Sequence, residues 1–262
     1  MVDVISSSGW LLPALAAMEL SQITLQAMWE SDSPLLQLPH VTRALAASLK
    51  SSGINTVFEL LELDDGDRRK RLAALSKKEY AELAIAANRY PAVDVSYAVQ
   101  SADDLHEGEL VTIDVQLERD TGDDDDDDGG DDDGDDDDAA NKKAKGNAGK
   151  AAKKSAAAAT TTTTTDDDAG QVEMVCAPFY PTQRAESWWL LVGDAANKTL
   201  LTIKRVTLGK SARAALQFVA PANGQHKLTI YAVCDSYVGC DQQYEVDVNV
   251  GAPLEPAVDA MQ

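Results

Sequence analysis

The stretch AELAIAANRYPAVDVSYAV, Ala81 to Val99, decides the fold. Before Asn88 its apolar residues Leu83, Ile85 and Ala86 keep a helical spacing. Just upstream, Ser76 and Glu79 have the spacing of a capping box, in which each side chain satisfies a backbone N–H at the helix start. Pro91 stops the helix, because the residue before a proline is pushed out of helical backbone geometry. Beyond it Val93, Val95, Tyr97 and Val99 alternate with Asp94, Ser96 and Ala98, which places the apolar set on one face of a strand. The spacing therefore predicts helices up to about residue 91 and strands after it.

Working towards the N-terminus, Pro13 fits the first turn of a helix whose stripe is Leu15, Met18, Leu25 and Trp29, with Leu20, Ile23 and Ala27 beside it. So broad an apolar surface predicts a deeply buried helix. Pro34 and Pro39 interrupt the pattern, a helix over about 41–51 follows, and Gly53 closes it. Asn55 is placed to cap the next helix, which carries Val57, Phe58, Leu60 and Leu61. The segment SSGINTVFELLEL has the small–Gly–apolar character of a helix-hairpin-helix turn, which makes Gly53 a candidate for contact with a nucleic-acid backbone through turn amides. The basic run Arg68, Arg69, Lys70 and Arg71 lies in the following element, interleaved with acids.

Towards the C-terminus, Val111, Ile113, Val115 and Leu117 alternate with polar residues, as do Tyr244, Val246, Val248 and Val250. Further strands fit 172–176, 187–192, 200–206, 212–219 and 226–234. Seven or eight short, half-apolar strands predict a two-sheet sandwich. Ala185–Arg205 reads as a hairpin with Gly193, Asp194 and Asn197 near the bend. Neighbouring strand residues point to opposite faces, so one of Trp188 and Trp189 anchors the core and the other faces solvent or a partner. Residues 121–170 are low-complexity, with no apolar side chain larger than Ala between Asp123 and Asp168, and are expected to be a disordered insert within the sandwich.

Composition narrows the function. The formal charge is −21, of which −10 falls in residues 123–168 and −11 in the rest, so even the patterned part is acidic and poorly suited to gathering nucleic acid by counterion release. Cys176, Cys234 and Cys240 cannot form a disulfide framework, and buried reduced thiols are expected. No apolar run reaches the length of a membrane span. Gly209-Lys210-Ser211 lacks the first glycine of a phosphate loop, whose place is taken by Lys204. His40, His106 and His226 are far apart in the chain. No nucleophile, base and oxyanion donor assemble, so no catalytic, cofactor or metal residue is expected and this chain is not expected to be an enzyme.

Several long blocks carry a resemblance. They are SSSGWLLPALAAMELSQ (6–22), AMW (27–29), QLPH (37–40), NRYP (88–91), VQLERD (115–120), WWLLVGD (188–194), TIKRVTL (202–208), FVAPANGQH (218–226) and SYVGCDQQYEVDV (236–248). In this order they resemble the C-terminal Brl unit, or Sec-sixty-three homology unit, of the large U5 small nuclear ribonucleoprotein RNA helicases of the spliceosome, Ski-two-like members of superfamily 2. The resemblance implies an α+β, multi-domain chain. Residues 1–36 would end a helical bundle, 37–91 form a helix-loop-helix domain, 92–251 form an immunoglobulin- or fibronectin-type sandwich, and 252–262 form a tail. It also implies ATP and magnesium sites upstream, in helicases that unwind the U4/U6 duplex, and a nuclear protein. Here the unit would serve as a regulatory and protein-binding platform, with the upstream cassette and other splicing proteins as partners. Trp188, Trp189, Tyr237 and Tyr244 are the candidate interface aromatics. The other reading is RNA-backbone contact at Gly53, since the family's helix-loop-helix elements lie near the RNA path.

Overall fold

A computed structural model describes residues 1–100, 105–120 and 172–253. The expected insert at 121–170 lies outside them, as does most of the tail. The helical part comprises α1 (Val2–Ser6), α2 (Leu11–Leu25), a 3-10 turn (Pro34–Gln37), α3 (Arg43–Ser51), α4 (Val57–Leu61), α5 (Asp65–Arg71) and α6 (Lys77–Asn88). The β part comprises β1 (Val93–Val99), β2 (Leu105–His106), β3 (Leu110–Arg119), β4 (Ser187–Asp194), β5 (Thr199–Thr207), β6 (Ser211–Val219), β7 (Gly224–Cys234) and β8 (Gln242–Gly251). The change of period at Pro91 is thus real: α6 ends at Asn88 and β1 begins at Val93.

The helix starts and stops follow local chemistry. Ser76 and Glu79 form the expected capping box on α6. On α4 the box is made by Thr56 and Glu59, not by Asn55, because Thr56 has the extended backbone an N-cap needs and its Oγ1 accepts from the Glu59 N–H. Helix α2 has no side-chain cap. Instead the Leu11 N–H donates to the Lys198 carbonyl in the β4–β5 turn, and the Leu200 N–H donates back to Gly9. Its buried stripe is Leu11, Ala14, Met18, Gln22 and Leu25. Trp29 lies beyond the helix and is 73% exposed, and Leu12 and Leu20 are also exposed, so α2 buries one face and is less deeply buried than its broad apolar surface predicts.

Two sheets form the β part. The smaller is antiparallel in the order β1-β3-β6, and the larger has the order β2-β8-β7-β4-β5. Among the described residues only β2 pairs in parallel, through Leu105 and His106 against Val250 and Gly251; this two-residue strand is too short to leave a periodic signal. The segment 172–176 is not a strand. It makes a single bridge, Met174 to Ala185, flanked by bonds from the Val175 N–H to Arg184 and from the Glu186 N–H to Glu173, and the pairing goes no further. The expected hairpin forms, with its bend at 195–198: Asn197 lies in it, Gly193 and Asp194 pair within β4 just before it, and Asp194 accepts from the Asn197 backbone and side-chain amides. Val111, Ile113, Val115 and Leu117 from one sheet and Trp188, Leu190, Val192, Ile230 and Val248 from the other share one core. Leu35, Leu49, Leu60 and Leu83 of the helical part extend that core.

Strand β4 is buried along its whole length. Trp188, Leu190 and Val192 face the shared core, and Trp189 and Leu191 face a second cluster with Val2, Leu11, Ala14 and Met18. A strand covered on both faces reads as a continuous apolar run, and WWLLV is such a run. Gly193 completes the fit. A β-carbon there would lie 2.6 Å and 2.7 Å from the two δ-carbons of Leu11, so the helix start seats itself where the strand has no side chain.

Candidate functional site at the helix–sheet junction

The connection from β7 to β8, residues 235–241, gathers side chains from every part of the molecule. Gln22 Nε2 on α2 donates to the Cys234 carbonyl at 2.7 Å and to the Asp241 carboxylate at 2.9 Å. Gln26 Nε2 donates to Ser236 at 2.8 Å and to Cys176 at 3.3 Å. Gln37 makes a two-way amide pair with Val238, donating to its carbonyl at 2.9 Å and accepting from its N–H at 3.1 Å. Tyr90, at the end of the helical part, donates its hydroxyl to the same carbonyl at 2.8 Å. All three glutamines are buried, and each spends its amide on backbone that no regular ladder satisfies.

Two buried acids hold arginines beside this joint. Asp235 is fully buried and accepts from Arg184 at 3.2 Å, from Arg205 and from Ser236. Glu186 accepts from Arg119 at 2.6 Å and from the Trp188 indole at 2.7 Å. Burial raises the Glu186 carboxyl above its ordinary value, and the Arg119 charge and the indole bond offset part of that rise. Asp241 is exposed at the outer edge of the joint, yet the protein packed beside its carboxyl removes part of the hydration and pushes it up to about 6, opposed by the bonds from Gln22 and Cys234. Burial also raises the Cys240 thiol well above its usual range and raises the hydroxyls of Tyr90 and Tyr237.

The aromatics singled out from the sequence divide as follows. Trp188 is a core residue tied to Glu186. Trp189 lies on the opposite face, as the strand period requires, but α2 covers it to 6% exposure and the Arg205 guanidinium sits 5.5 Å from its ring centroid. The outward tryptophan therefore faces a helix of its own chain and not solvent. Tyr237 is buried, accepts from the Cys176 N–H and packs edge-on against Tyr90. Tyr244 is half-buried beside Tyr97. The residues that build the joint, Gln22, Gln26, Gln37, Asp235, Arg184 and Arg205, were not singled out. The one available signal was a glutamine at the helical interval after Leu11 and Met18, on the side that proves to be buried.

Gly53 adopts positive φ, +87°, and ends α3. Its N–H donates to Lys50 and the Ile54 N–H to Leu49, the paired bonds of a Schellman motif. The next two amides, Asn55 and Thr56, both donate to Glu59, whose carboxyl they hold below its ordinary value. The four amides of this turn are thus committed within the chain. Arg68 is similarly committed, closing the end of α4 through the carbonyls of Leu60, Leu61 and Leu63. Arg69 and Lys70 pair with Asp65 and Asp67.

A helical segment held on a two-sheet β domain by buried side-chain amides and apolar contact, with buried ion pairs inside the β domain beside them, defines a composite domain built around an internal joint. The chain belongs to the Sec63 Brl domain family, which it matches over residues 1–247. It is 38% identical over 246 residues to the Dictyostelium discoideum activating signal cointegrator 1 complex subunit 3-like protein, covering 94% of this chain and 9% of that protein. It is likewise 38% identical over 253 residues to the Drosophila melanogaster U5 small nuclear ribonucleoprotein 200 kDa helicase, covering 95% and 9%. Against the Arabidopsis thaliana DExH-box ATP-dependent RNA helicase DExH12 it is 37% identical over 256 residues, covering 95% and 10%. The chain spans about a tenth of the length of these relatives.

Proposed function

We propose that this chain is the C-terminal Brl unit of a U5-type splicing helicase and acts as a non-catalytic interaction and regulatory module. In this reading residues 1–36 end a helical bundle, 37–91 are the helix-loop-helix domain and 92–251 the immunoglobulin- or fibronectin-type sandwich. The sheet orders β1-β3-β6 and β8-β7-β4-β5 around one core support that last assignment. Its partners are the upstream cassette in cis and other spliceosomal proteins in the nucleus, while ATP and magnesium belong to upstream helicase cores.

The observation that carries the proposal is the apolar surface left on the helical side of the joint. Trp10, Leu12, Leu20, Trp29 and Phe179 are between 47% and 79% exposed. Large exposed apolar side chains around a rigid joint mark docking surfaces. Trp189 and Tyr237 contribute by fixing that surface from beneath. RNA-backbone contact at Gly53 finds no support, since its turn amides and Arg68 are occupied.

The test uses the full-length parent protein, tagged, with and without residues 93–251. Loss of co-purifying splicing proteins with ATP hydrolysis retained is expected. Loss of hydrolysis with an unchanged set of associated proteins refutes the reading.

A further inference from the structure

We propose that the groove between α1, α2 and the 177–184 loop docks a peptide of a partner protein, one that presents a single carboxylate beside a bulky apolar side chain. The proposal rests on the reading of the chain as an interaction module and specifies where it binds and what it recognises.

The groove has a volume of about 330 Å³, and Leu20, Leu25, Trp189, Tyr180, Arg184 and Arg205 are among its walls. At one place two arginines converge on one acid. Arg184 and Arg205 each touch the same Asp235 oxygen through a single Nη2, and Asp235 is fully buried. A guanidinium carries five N–H donors, so most of the donors on each arginine remain unspent. Their side chains are 31% and 43% exposed, open to the groove and to solvent. With Asp3 on the α1 wall the side-chain charges of the groove balance, so an incoming carboxylate is drawn by the unspent guanidinium donors and not by net charge.

The heads are also held in place. Arg205 lies 5.5 Å above the Trp189 ring centroid and Arg184 6.0 Å from that of Tyr180. A ligand carboxylate therefore meets donors already positioned, with little ordering cost left. The same groove offers apolar wall. Leu20 is 47% exposed there, with Ala17 and Leu25 beside it on the same wall. A carboxylate with an adjacent Leu or Phe satisfies both features.

Asp3 lines the groove from α1 and opposes a second negative charge. This favours one acidic group over a polyanion. A nucleic-acid backbone would bring a run of phosphates to that acid, on a chain of formal charge −21.

The test uses the whole 262-residue chain and fluorescein-labelled nine-residue peptides read by anisotropy. The centres of the three peptides are Leu-Glu-Phe, Leu-Gln-Phe and Ser-Glu-Ser. The first is expected to bind about ten-fold more tightly than the other two, the usual scale for one charge-assisted contact or one buried apolar side chain. Arg205→Gln and Leu20→Glu should each weaken it by about ten-fold. If Arg205→Gln fails to fold for want of an Asp235 partner, Leu20→Glu carries the test, because it alters an exposed wall and leaves the Asp235 pairs intact. Equal binding of the three peptides, or binding unchanged by Leu20→Glu, overturns the proposal. So does displacement of the peptide by a nine-nucleotide RNA at equal concentration. Such a failure leaves the interaction-module reading to the co-purification experiment above, where it stands or falls separately.

Discussion

Replacing Gly193 with alanine tests how closely the helix is seated on the sheet. The added β-carbon would lie 2.6 Å and 2.7 Å from the δ-carbons of Leu11 and 3.2 Å from its γ-carbon. Carbon atoms rest at about 3.5–4.0 Å, so one partner must move by roughly 1 Å. Leu11 is fully buried, its N–H is tied to Lys198 in the β4–β5 turn, and Gly9, two residues earlier, is tied to Leu200. Overpacking of this kind costs about 1–3 kcal/mol. The unfolded chain loses freedom when glycine becomes alanine, which returns about 0.4–1 kcal/mol. Gly193→Ala should therefore destabilise by about 1–2 kcal/mol. Leu11→Ala alone should cost about 2–4 kcal/mol, as a buried leucine truncation does. In the double variant the new methyl enters space vacated by the leucine. Its loss should fall short of the sum by about 1 kcal/mol or more. Urea unfolding followed by tryptophan fluorescence measures all four corners of the cycle. Additivity within about 0.5 kcal/mol would mean that Leu11 does not rest on Gly193, and the seating argument would fail.

Two changes in backbone handedness should act in opposite senses. Ala27 ends α2 at φ 52°, so Ala27→Gly should stabilise by about 1 kcal/mol, and Gly53→Ala, at φ 87°, should destabilise by about the same amount in thermal or urea melts. Asp235→Ala removes the buried acid shared by Arg184 and Arg205, leaves the buried Ser187 N–H and Ser236 hydroxyl without that acceptor, and should cost about 3 kcal/mol by urea unfolding. Asp241 titrates at about 6 when folded, above the roughly 4 of an unfolded Asp, so the folded state holds the extra proton. Its stabilising contribution is complete below about pH 4, is lost as the pH rises to about 6 and is level above that; Glu186 acts in the same direction. Asp241→Asn should flatten the stability curve between about pH 4 and 6, and an unchanged slope there contradicts the assignment. Single-stranded RNA should bind the chain more weakly than about 10 μM at physiological salt, and a filter-binding or anisotropy titration showing submicromolar, salt-sensitive binding would restore the Gly53 reading.

The parts of the fold that were legible are those fixed by residues close in sequence. The capping box at Ser76, the stop at Pro91 and the alternation in β1, β3 and β8 all depend on contacts within a few residues. What was not legible depends on distant partners. Trp189 has an outward position by strand period, but whether solvent or a helix lies over it is set by α2, more than 160 residues earlier. The exposed side of α2 looked as apolar as its buried side, because Leu12 and Leu20 resemble Leu11 and Met18 in chemistry and differ only in what lies opposite. Asn55 and Thr56 are both good caps, and the choice fell on the one whose third neighbour is Glu59. Gln22 and Gln26 carried no chemical flag, since their partners, backbone carbonyls of the 234–236 segment and Cys176 and the Asp241 carboxylate, all lie far away in sequence.

Those glutamines explain why the joint has one register. Apolar contact between Leu11, Met18 and the pair Trp189 and Leu191 is nondirectional, so by itself it would tolerate a helix shifted along the sheet. A shift of one residue would swing Gln22 and Gln26 off the face and strand the carbonyls of Cys234 and Ser236. Each buried polar group left alone costs about 1–3 kcal/mol, so the shifted states are penalised several times over. Gln37 and Tyr90 add the same constraint from the helices that follow, both on Val238. The outer surface of α2 inherits this fixed register. Leu20 and the two arginines anchored on Asp235 are therefore held at constant separation, the condition under which a charged group and an apolar side chain on one partner can be recognised together.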